Sequence, residues 1–398
     1  MTKGPLEGMK IVDFSQMMAG PFGTQMLGDL GADIIKIERP TTGEWERGLA
    51  SMGELCAGDS PFFLAMNRNK RSLTLDLKHE KSKEIIYKLV ADADVVIENF
   101  RPGVLDRLGY GYEDFSKINP GIIYCSSTGY GSSGPYTKRP GQDLLIQGIS
   151  GLIDCTGTKD QAVPMGTAVV DASTAMMNVI SILAAYTHKQ KTGEGQRIEV
   201  NMFSTAISIQ CQEAFSYLNL DQRWERSEAG IGAPWLSAPF GVYPTKDGFM
   251  TLAMNSVPLL GKIMGLSELE SYQDGMDCFT DRDFIKRRLE TKTIEKTTAE
   301  WLSILAEYDI WCGPVNTLGE VFEDPQVIHN HVLQTMHHPK AGEIKVVGFP
   351  GKFSKTPATY RMHPPLIGQH NAEILKSLGY SEEEIASFQI DGVTELKK

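Results

Sequence analysis

Met9-Lys-Ile-Val-Asp-Phe14, Gly20-Pro-Phe-Gly-Thr-Gln-Met-Leu-Gly-Asp-Leu30 and Asp33-Ile-Ile-Lys-Ile-Glu38 follow one another near the start of the chain. The first and third are short apolar runs that read as strands. The second opens on a proline and then carries helical spacing. The pattern repeats downstream. Ser72-Leu-Thr-Leu-Asp-Leu77 alternates as a strand does, residues 79–93 place Ile85, Ile86, Leu89 and Val90 at helical intervals, and Asp94-Val-Val-Ile-Glu98 and Ile122-Ile-Tyr-Cys-Ser126 are further strands. Strands joined by helices of this length require crossover connections and a parallel sheet. The first part of the chain is therefore expected to be a Rossmann-like α/β domain.

Beyond it, helical spacing spans residues 174–189 and 203–220, on either side of the strand-like Gln196-Arg-Ile-Glu-Val-Asn201. Ala238-Pro-Phe-Gly-Val-Tyr243 and Gly248-Phe-Met-Thr-Leu-Ala253 read as an antiparallel hairpin, followed by helices over about 257–266, 281–289 and 298–307. The C-terminal part offers a strand, Glu343-Ile-Lys-Val-Val-Gly348, and helices over 371–378 and 381–388. The expected organisation is a large α/β domain over 1–222, a smaller α+β domain over 223–330, and a return to the large domain over 331–398.

The 398 residues carry a formal net charge of −11, which argues against a general nucleic-acid binder, since such a protein needs a basic face. No run approaches the ~18 uninterrupted apolar residues of a membrane span, and Met1-Thr-Lys-Gly-Pro-Leu-Glu-Gly8 lacks the apolar core of a signal peptide. The six cysteines form no CxxC pair, a pattern that suits reduced thiols in a cytoplasmic protein. No HExxH arrangement occurs, and His329, His331, His337 and His338 read as a solvated loop rather than a metal site.

Cations fall at strand ends, where α/β folds bind ligands. Arg39 follows the second strand and Asn99-Phe100-Arg101 the fourth; Arg71 and Lys78 bracket the third, and Arg107 lies just beyond Pro102-Gly103. Together they would form a basic rim suited to a phosphorylated nucleotide, with Phe100 and Leu75 as flat apolar contacts for an adenine. Thr128-Gly-Tyr-Gly-Ser-Ser-Gly-Pro-Tyr-Thr-Lys-Arg-Pro-Gly-Gln-Asp143 is a glycine-rich loop that permits close backbone approach to a ligand. A dinucleotide site is disfavoured. The first strand is followed by Ala19-Gly20-Pro21-Phe22-Gly23 rather than GxGxxG, and Pro21 lacks the N–H that a phosphate cradle uses. Asp171 stands at the mouth of the apolar helix after Val163-Pro-Met-Gly-Thr-Ala-Val-Val. The positive field there is expected to keep it ionised, as a helix cap or as a carboxylate nucleophile.

As a set, several segments resemble the class III, formyl-CoA transferase-like acyl-CoA transferases: Asp13-Phe-Ser-Gln-Met-Met-Ala-Gly-Pro21, Gly31-Ala-Asp-Ile-Ile-Lys-Ile-Glu38, Asn69-Lys-Arg-Ser-Leu-Thr-Leu-Asp76, Glu98-Asn-Phe-Arg-Pro-Gly-Val-Leu105, Gly129-Tyr-Gly-Ser-Ser-Gly-Pro135, Lys191-Thr-Gly-Glu-Gly-Gln196 and Cys312-Gly-Pro-Val315. The resemblance covers nearly the whole chain. It implies an acyl-CoA donor, a small free carboxylic acid acceptor, no metal and no permanently bound cofactor, CoA being a substrate. It also implies an interlocked, ring-like homodimer that needs neither nucleic acid nor membrane. Asp171 matches the family's catalytic aspartate, passing through an aspartyl anhydride and an aspartyl-CoA thioester. Matched CoA-contact positions are Met18, Ala19, Arg39, Leu75, Lys78, Asn99, Phe100, Arg101, Arg107, Lys138 and Arg139. Met18 stands where some relatives carry a glutamine. Ala229-Gly-Ile-Gly-Ala-Pro-Trp235 lacks the glycine run that others use as a lid. The alternative inside the superfamily is a 2-methylacyl-CoA racemase. Its relatives carry Gly-His-Asp where this chain has Gly141-Gln142-Asp143, and glutamine cannot act as the acid–base group. A CoA binder without turnover is the third reading. Trp45, Leu49 and Met165 are candidate acyl-pocket residues.

Overall fold

A computed structural model describes residues 4–221 and 223–395. The chain divides into two compact units, the first built from residues 4–143, 169–205 and 325–395, the second from 144–168 and 206–324.

The first unit is organised on six parallel strands: β1 (Lys10–Asp13), β2 (Asp33–Glu38), β3 (Lys70–Thr74), β4 (Val95–Glu98), β5 (Ile123–Thr128) and β6 (Gln196–Asn201). They lie in the order β3-β2-β1-β4-β5-β6. This is the doubly wound order, whose switch point falls between β1 and β4. Helices α1 (Pro21–Asp29), α2 (Pro61–Met66), α3 (Glu80–Ala91), α4 (Val104–Leu108), α5 (Tyr112–Ile118) and α7 (Val169–Thr192) punctuate the strands, while α6 (Asp143–Ile149) starts at the last residue of this unit before the chain enters the second.

Successive strand residues point to opposite faces, and both faces are buried. Val12, Val96 and Tyr124 enter one core with Ile85, Leu89 and Phe115; this core also takes Ile374 and Phe388 from the C-terminal helices. Ile11, Val95, Ile97, Ile123 and Cys125 enter the other, with Leu27 of α1 and Ile182 and Ala185 of α7. The approach of α1 to α7 depends on Gly23. A Cβ there would stand 2.9 Å from the Ala175 carbonyl oxygen. By length and composition α7 could cross a bilayer, yet it carries Asp171 and the fully buried Thr174 and Asn178, and its Ile182 and Ala185 belong to the sheet core.

The structure moves several expected boundaries. The third strand runs Lys70–Thr74 rather than 72–77, because Lys70, a residue that reads as a flank, is fully buried within it. The helix expected over 203–220 breaks into Met202–Ser208 and Cys211–Asn219, where the Gln210 side-chain amide donates to the Ala206 carbonyl at 2.8 Å. Leu333–His338, expected as loop, pairs antiparallel with Gly342–Val347. His338 is thereby buried, its Nδ1 accepting from the Ala341 N–H at 3.1 Å. That part of the solvated-loop reading is overturned.

The second unit carries the hairpin Gly241–Pro244 and Phe249–Leu252, extended by Cys312–Pro314 into a three-stranded antiparallel sheet. The last strand has no sequence signature, since its glycine and proline are poor strand formers. Helices at Val257–Met264, Arg282–Thr293 and Thr298–Ala306 close over a core that includes Tyr243, Met250, Leu260, Ile285 and Trp301.

Candidate functional site

The loops leaving the C-terminal ends of the strands, at the switch point, enclose a cavity of about 420 Å³ within the first unit. Gln16, Met17 and Ala19 come from the loop after β1, Arg39 from the end of β2, and Asn99, Phe100 and Arg101 from the end of β4. Ser127 to Gly131 and Arg139 to Gln142 come from β5 and the glycine-rich loop, and Asp171 faces them from α7. That loop folds on itself through glycines: a Cβ on Gly129 would lie 2.6 Å from the Gly141 Cα.

Asp171 is the third residue of α7. The cap of this helix is Asp143, whose Oδ2 accepts the backbone N–H groups of Val170 (2.8 Å) and Asp171 (2.9 Å). The reading of Asp171 as a helix cap is thus replaced. Its expected ionisation is corrected too. Burial, with the Asp143 carboxylate beside it, pushes the Asp171 carboxyl up to about 7. The helix terminus offers only about half a charge, and desolvation together with a like charge outweighs it. The group therefore titrates near neutrality, poised to act as a weakly solvated nucleophile.

The opposite wall, Ser15 to Ala19, is held by side chains from several elements. Asn99 clamps Gln16 from both sides, accepting its N–H at 2.8 Å and donating to its carbonyl at 2.7 Å. The Met17 N–H donates to Glu44 at 2.8 Å, Lys36 donates to the Ser15 carbonyl at 2.8 Å, and Asn178 to the Ala19 carbonyl at 3.0 Å. Met17 itself takes φ +61°, a left-handed conformation that costs a non-glycine residue about 1 kcal/mol and persists only where its surroundings fix it.

Beneath this wall lies a buried charge network. Lys36 pairs with Glu44 at 2.8 Å and Lys70 with Asp13 at 3.3 Å, all four side chains being inaccessible or nearly so. Arg47 reaches Glu38 through two nitrogens (2.6 and 2.8 Å) and Asp59 at 3.2 Å, its guanidinium stacked 3.6 Å over the Phe63 ring. Burial would raise the Glu38 carboxyl, but Arg47 prevails and holds it down at about 2. Among the described residues Glu46 makes no such ion pair. Burial and the neighbouring Glu44 push it up to about 8, with Asp171 adding to the rise, so it is mostly neutral at pH 7.

Of the residues expected to contact CoA, Ala19, Arg39, Asn99, Phe100, Arg101 and Arg139 line the cavity with Asp171. Met18 instead borders an apolar cavity of about 1450 Å³ with Phe22, Phe62 and Met176. Lys78, Arg107 and Lys138 are exposed outside the lining of the smaller cavity. The Leu75 side chain is fully buried in the first core and offers no free face, so any contact there falls to backbone. Trp45 lines the cavity; Leu49 and Met165 do not. Sequence reading missed Asp143 as the cap, and it missed Gln16, Met17 and Asn178. Only Asp143 had a signal, as the acid closing the glycine-rich loop. Among the described residues no group of three or more His, Cys, Asp or Glu side chains is arranged to hold a metal ion.

The sequence model of CoA-transferase family III matches residues 6–371. A Mus musculus protein named succinyl-CoA:glutarate CoA-transferase is 36% identical over 98% of this chain and 90% of its own length. A Rhodopseudomonas palustris protein named formyl-CoA:oxalate CoA-transferase is 32% identical over 98% of this chain and 97% of its own. Among solved structures, a CaiB/BaiF family protein from Brucella suis superposes with a TM-score of 0.82 at 32% identity, covering 95% of this chain and 100% of that one.

Proposed function

Because the chain belongs to CoA-transferase family III, we propose that it moves CoA from an acyl-CoA thioester to a free carboxylic acid, with Asp171 as the nucleophile. The observation that carries this reading is the placement of a neutral-titrating carboxyl in the same cavity as three arginines. Arg39, Arg101 and Arg139 supply cations for the CoA phosphates. The Asp171 carboxylate attacks the thioester carbon, the C–S bond breaks, and CoA thiolate leaves an aspartyl–acyl anhydride. The thiolate returns to the aspartyl carbon, releasing the donor acid and forming an aspartyl-CoA thioester. The acceptor carboxylate attacks that thioester, expelling thiolate again and forming a second anhydride. Attack of the thiolate on the acceptor's acyl carbon then gives the new acyl-CoA and restores Asp171. No proton is consumed overall. Backbone N–H groups at the cavity stabilise the oxyanions, a contribution of about 3–4 kcal/mol for each well-aimed donor.

Short dicarboxylic acids are the first choice of substrate, on the strength of relatives named for succinyl-CoA with glutarate and for formyl-CoA with oxalate. A racemase would need a second acid–base group, and the cavity presents the amide of Gln142. A homodimer is part of the proposal. Met176 and Ile180 of α7 stand exposed, and the apolar cavity beside Met18 offers a surface of the kind that a second chain covers.

Incubation with acyl-CoA followed by hydroxylamine will convert the peptide carrying Asp171 to its hydroxamate, and a panel of free acids read by mass spectrometry will show new thioesters. Turnover with that peptide unmodified would eliminate the covalent route; no new thioester with any acid would eliminate transfer. The pH profile gives a second check. An essential carboxylate titrating near 7 makes kcat/KM rise through pH 7, with about a tenfold deficit at pH 6 relative to the plateau. Asp143→Asn removes the adjacent like charge and will move that limb to lower pH. A wild-type profile flat from pH 6 to 8 would show that Asp171 does not titrate there.

A further inference from the structure

Asn178 lies behind the cavity floor, fully buried on α7, seven residues past Asp171. Seven residues make nearly two turns, so the two side chains share one helix face about 10 Å apart along the axis. The Asn178 amide nitrogen donates to the Ala19 carbonyl at 3.0 Å and to the Ser127 hydroxyl at 3.1 Å, and its oxygen accepts a weak bond from the Cys125 thiol at 3.7 Å. Ala19 and Ser127 both line the cavity with Asp171. One side chain thus ties the nucleophile helix to the two walls that face its first turn.

We propose that Asn178 is a positioning residue: its amide fixes the register of α7 against Ala19 and Ser127, so that the Asp171 carboxylate meets the thioester carbon. The inference rests on the transferase reading. Elsewhere α7 meets the sheet through apolar residues such as Ile182 and Ala185, whose packing is non-directional, and, near its far end, through Lys189, which pairs with Asp94 at 2.7 Å. Between the Asp143 cap at its start and Lys189 near its end, the two bonds donated by Asn178 supply the direction. A leucine would fill nearly the same space but leave the Ala19 carbonyl buried and unpaired, loosening α7 between its Asp143 cap and its Lys189–Asp94 pair. A misplacement of order 1 Å costs about 10²-fold in rate.

The test is a double-mutant cycle on kcat, with CoA affinity measured by calorimetry. Asn178→Leu is expected to lower kcat by about 10- to 100-fold while leaving CoA affinity unchanged. Ser127→Ala, which removes one of the two acceptors, is expected to lower kcat less, with KM unchanged. Added to Asn178→Leu, Ser127→Ala is expected to cost nothing further. Full kcat in Asn178→Leu, even with a lowered melting temperature, would make the residue merely structural and overturn the proposal. So would additive losses, or a raised KM in Ser127→Ala, since either would mean that the hydroxyl meets substrate directly. If Asn178→Leu does not fold, an unchanged kcat in Ser127→Ala overturns the proposal, and a lowered kcat at constant KM sustains it. Wild-type enzyme that transfers CoA to no acid would remove the transferase reading itself, an outcome distinct from all of these.

Discussion

Asp171→Asn will lower CoA transfer by about three orders of magnitude or more while the protein still binds CoA. The substitution keeps shape and volume, and the Asp143 cap receives backbone N–H groups that the change leaves in place. What it removes is the carboxylate proposed to form the bond to the acyl carbon, and losing a covalent nucleophile removes the whole covalent route. The amide put in its place would also be neutral at every pH, so the rising limb of the profile would vanish with the activity. Initial rates from thioester exchange and a CoA titration by calorimetry measure the two halves separately. Retention of more than a tenth of wild-type kcat would mean that another group attacks. Loss of CoA binding in step with turnover would mean that the change had damaged the cavity, not the chemistry.

The largest effect on stability belongs to Arg47→Ala. Arg47 is nearly inaccessible and holds Glu38 with two bonds, Asp59 with a third and the Pro365 carbonyl with a fourth. Removing one partner of a buried pair leaves the other charge uncompensated, at a cost of about 3–5 kcal/mol. Linkage gives a similar size. The Glu38 carboxyl stands at about 2 in the folded chain against an ordinary value of 4.5, a difference of roughly 3 kcal/mol. Because that value is depressed, the stabilisation is fully present above pH 4.5 and fades as the pH falls toward 2. Arg47→Ala at pH 7 is therefore expected to lower the melting temperature by about 10 °C, and Arg47→Lys by a lesser amount, since lysine cannot make the forked contact. A melting temperature within a degree or two of wild type would show that the network bears little load. The damage would reach the cavity as well. Glu38 accepts the Glu44 N–H at 3.1 Å, and Glu44 holds Met17.

Much of the first unit is legible in the sequence because its central strands are buried on both faces, which writes them as apolar runs between turn signals. Ile11, Ile34, Val95 and Ile123 all carry that mark. Asp171 and the Asn99–Arg101 segment are legible for a different reason: they occupy strand and helix ends, where ligands bind in such folds. The buried charges are the opposite case. Lys36 and Lys70 sit where periodicity expects a surface residue; Glu44, the partner of Lys36, lies in the loop after β2, and Asp13, the partner of Lys70, lies on another strand. Pairs between separate elements leave no local pattern. The same holds for Asp143. Its bonds to the start of α7 join residues more than two dozen positions apart, so the sequence marks the acid but not the helix it caps, nor the carboxyl that it raises together with burial. The break at Gln210 is likewise set by one side chain competing for a helix carbonyl, against an unbroken apolar rhythm.

The chain departs from the first unit after Asp143 and comes back to it at Val169. The residue at the point of departure is bonded to the residues at the point of return, which makes the intervening segment a purse drawn shut at its neck. Lengthening a loop whose ends are already pinned costs little, about 0.6 kcal/mol for each doubling. The exposed stretch at residues 159–167 can therefore change in length over evolutionary time while the Asp171 carboxyl stays where it is.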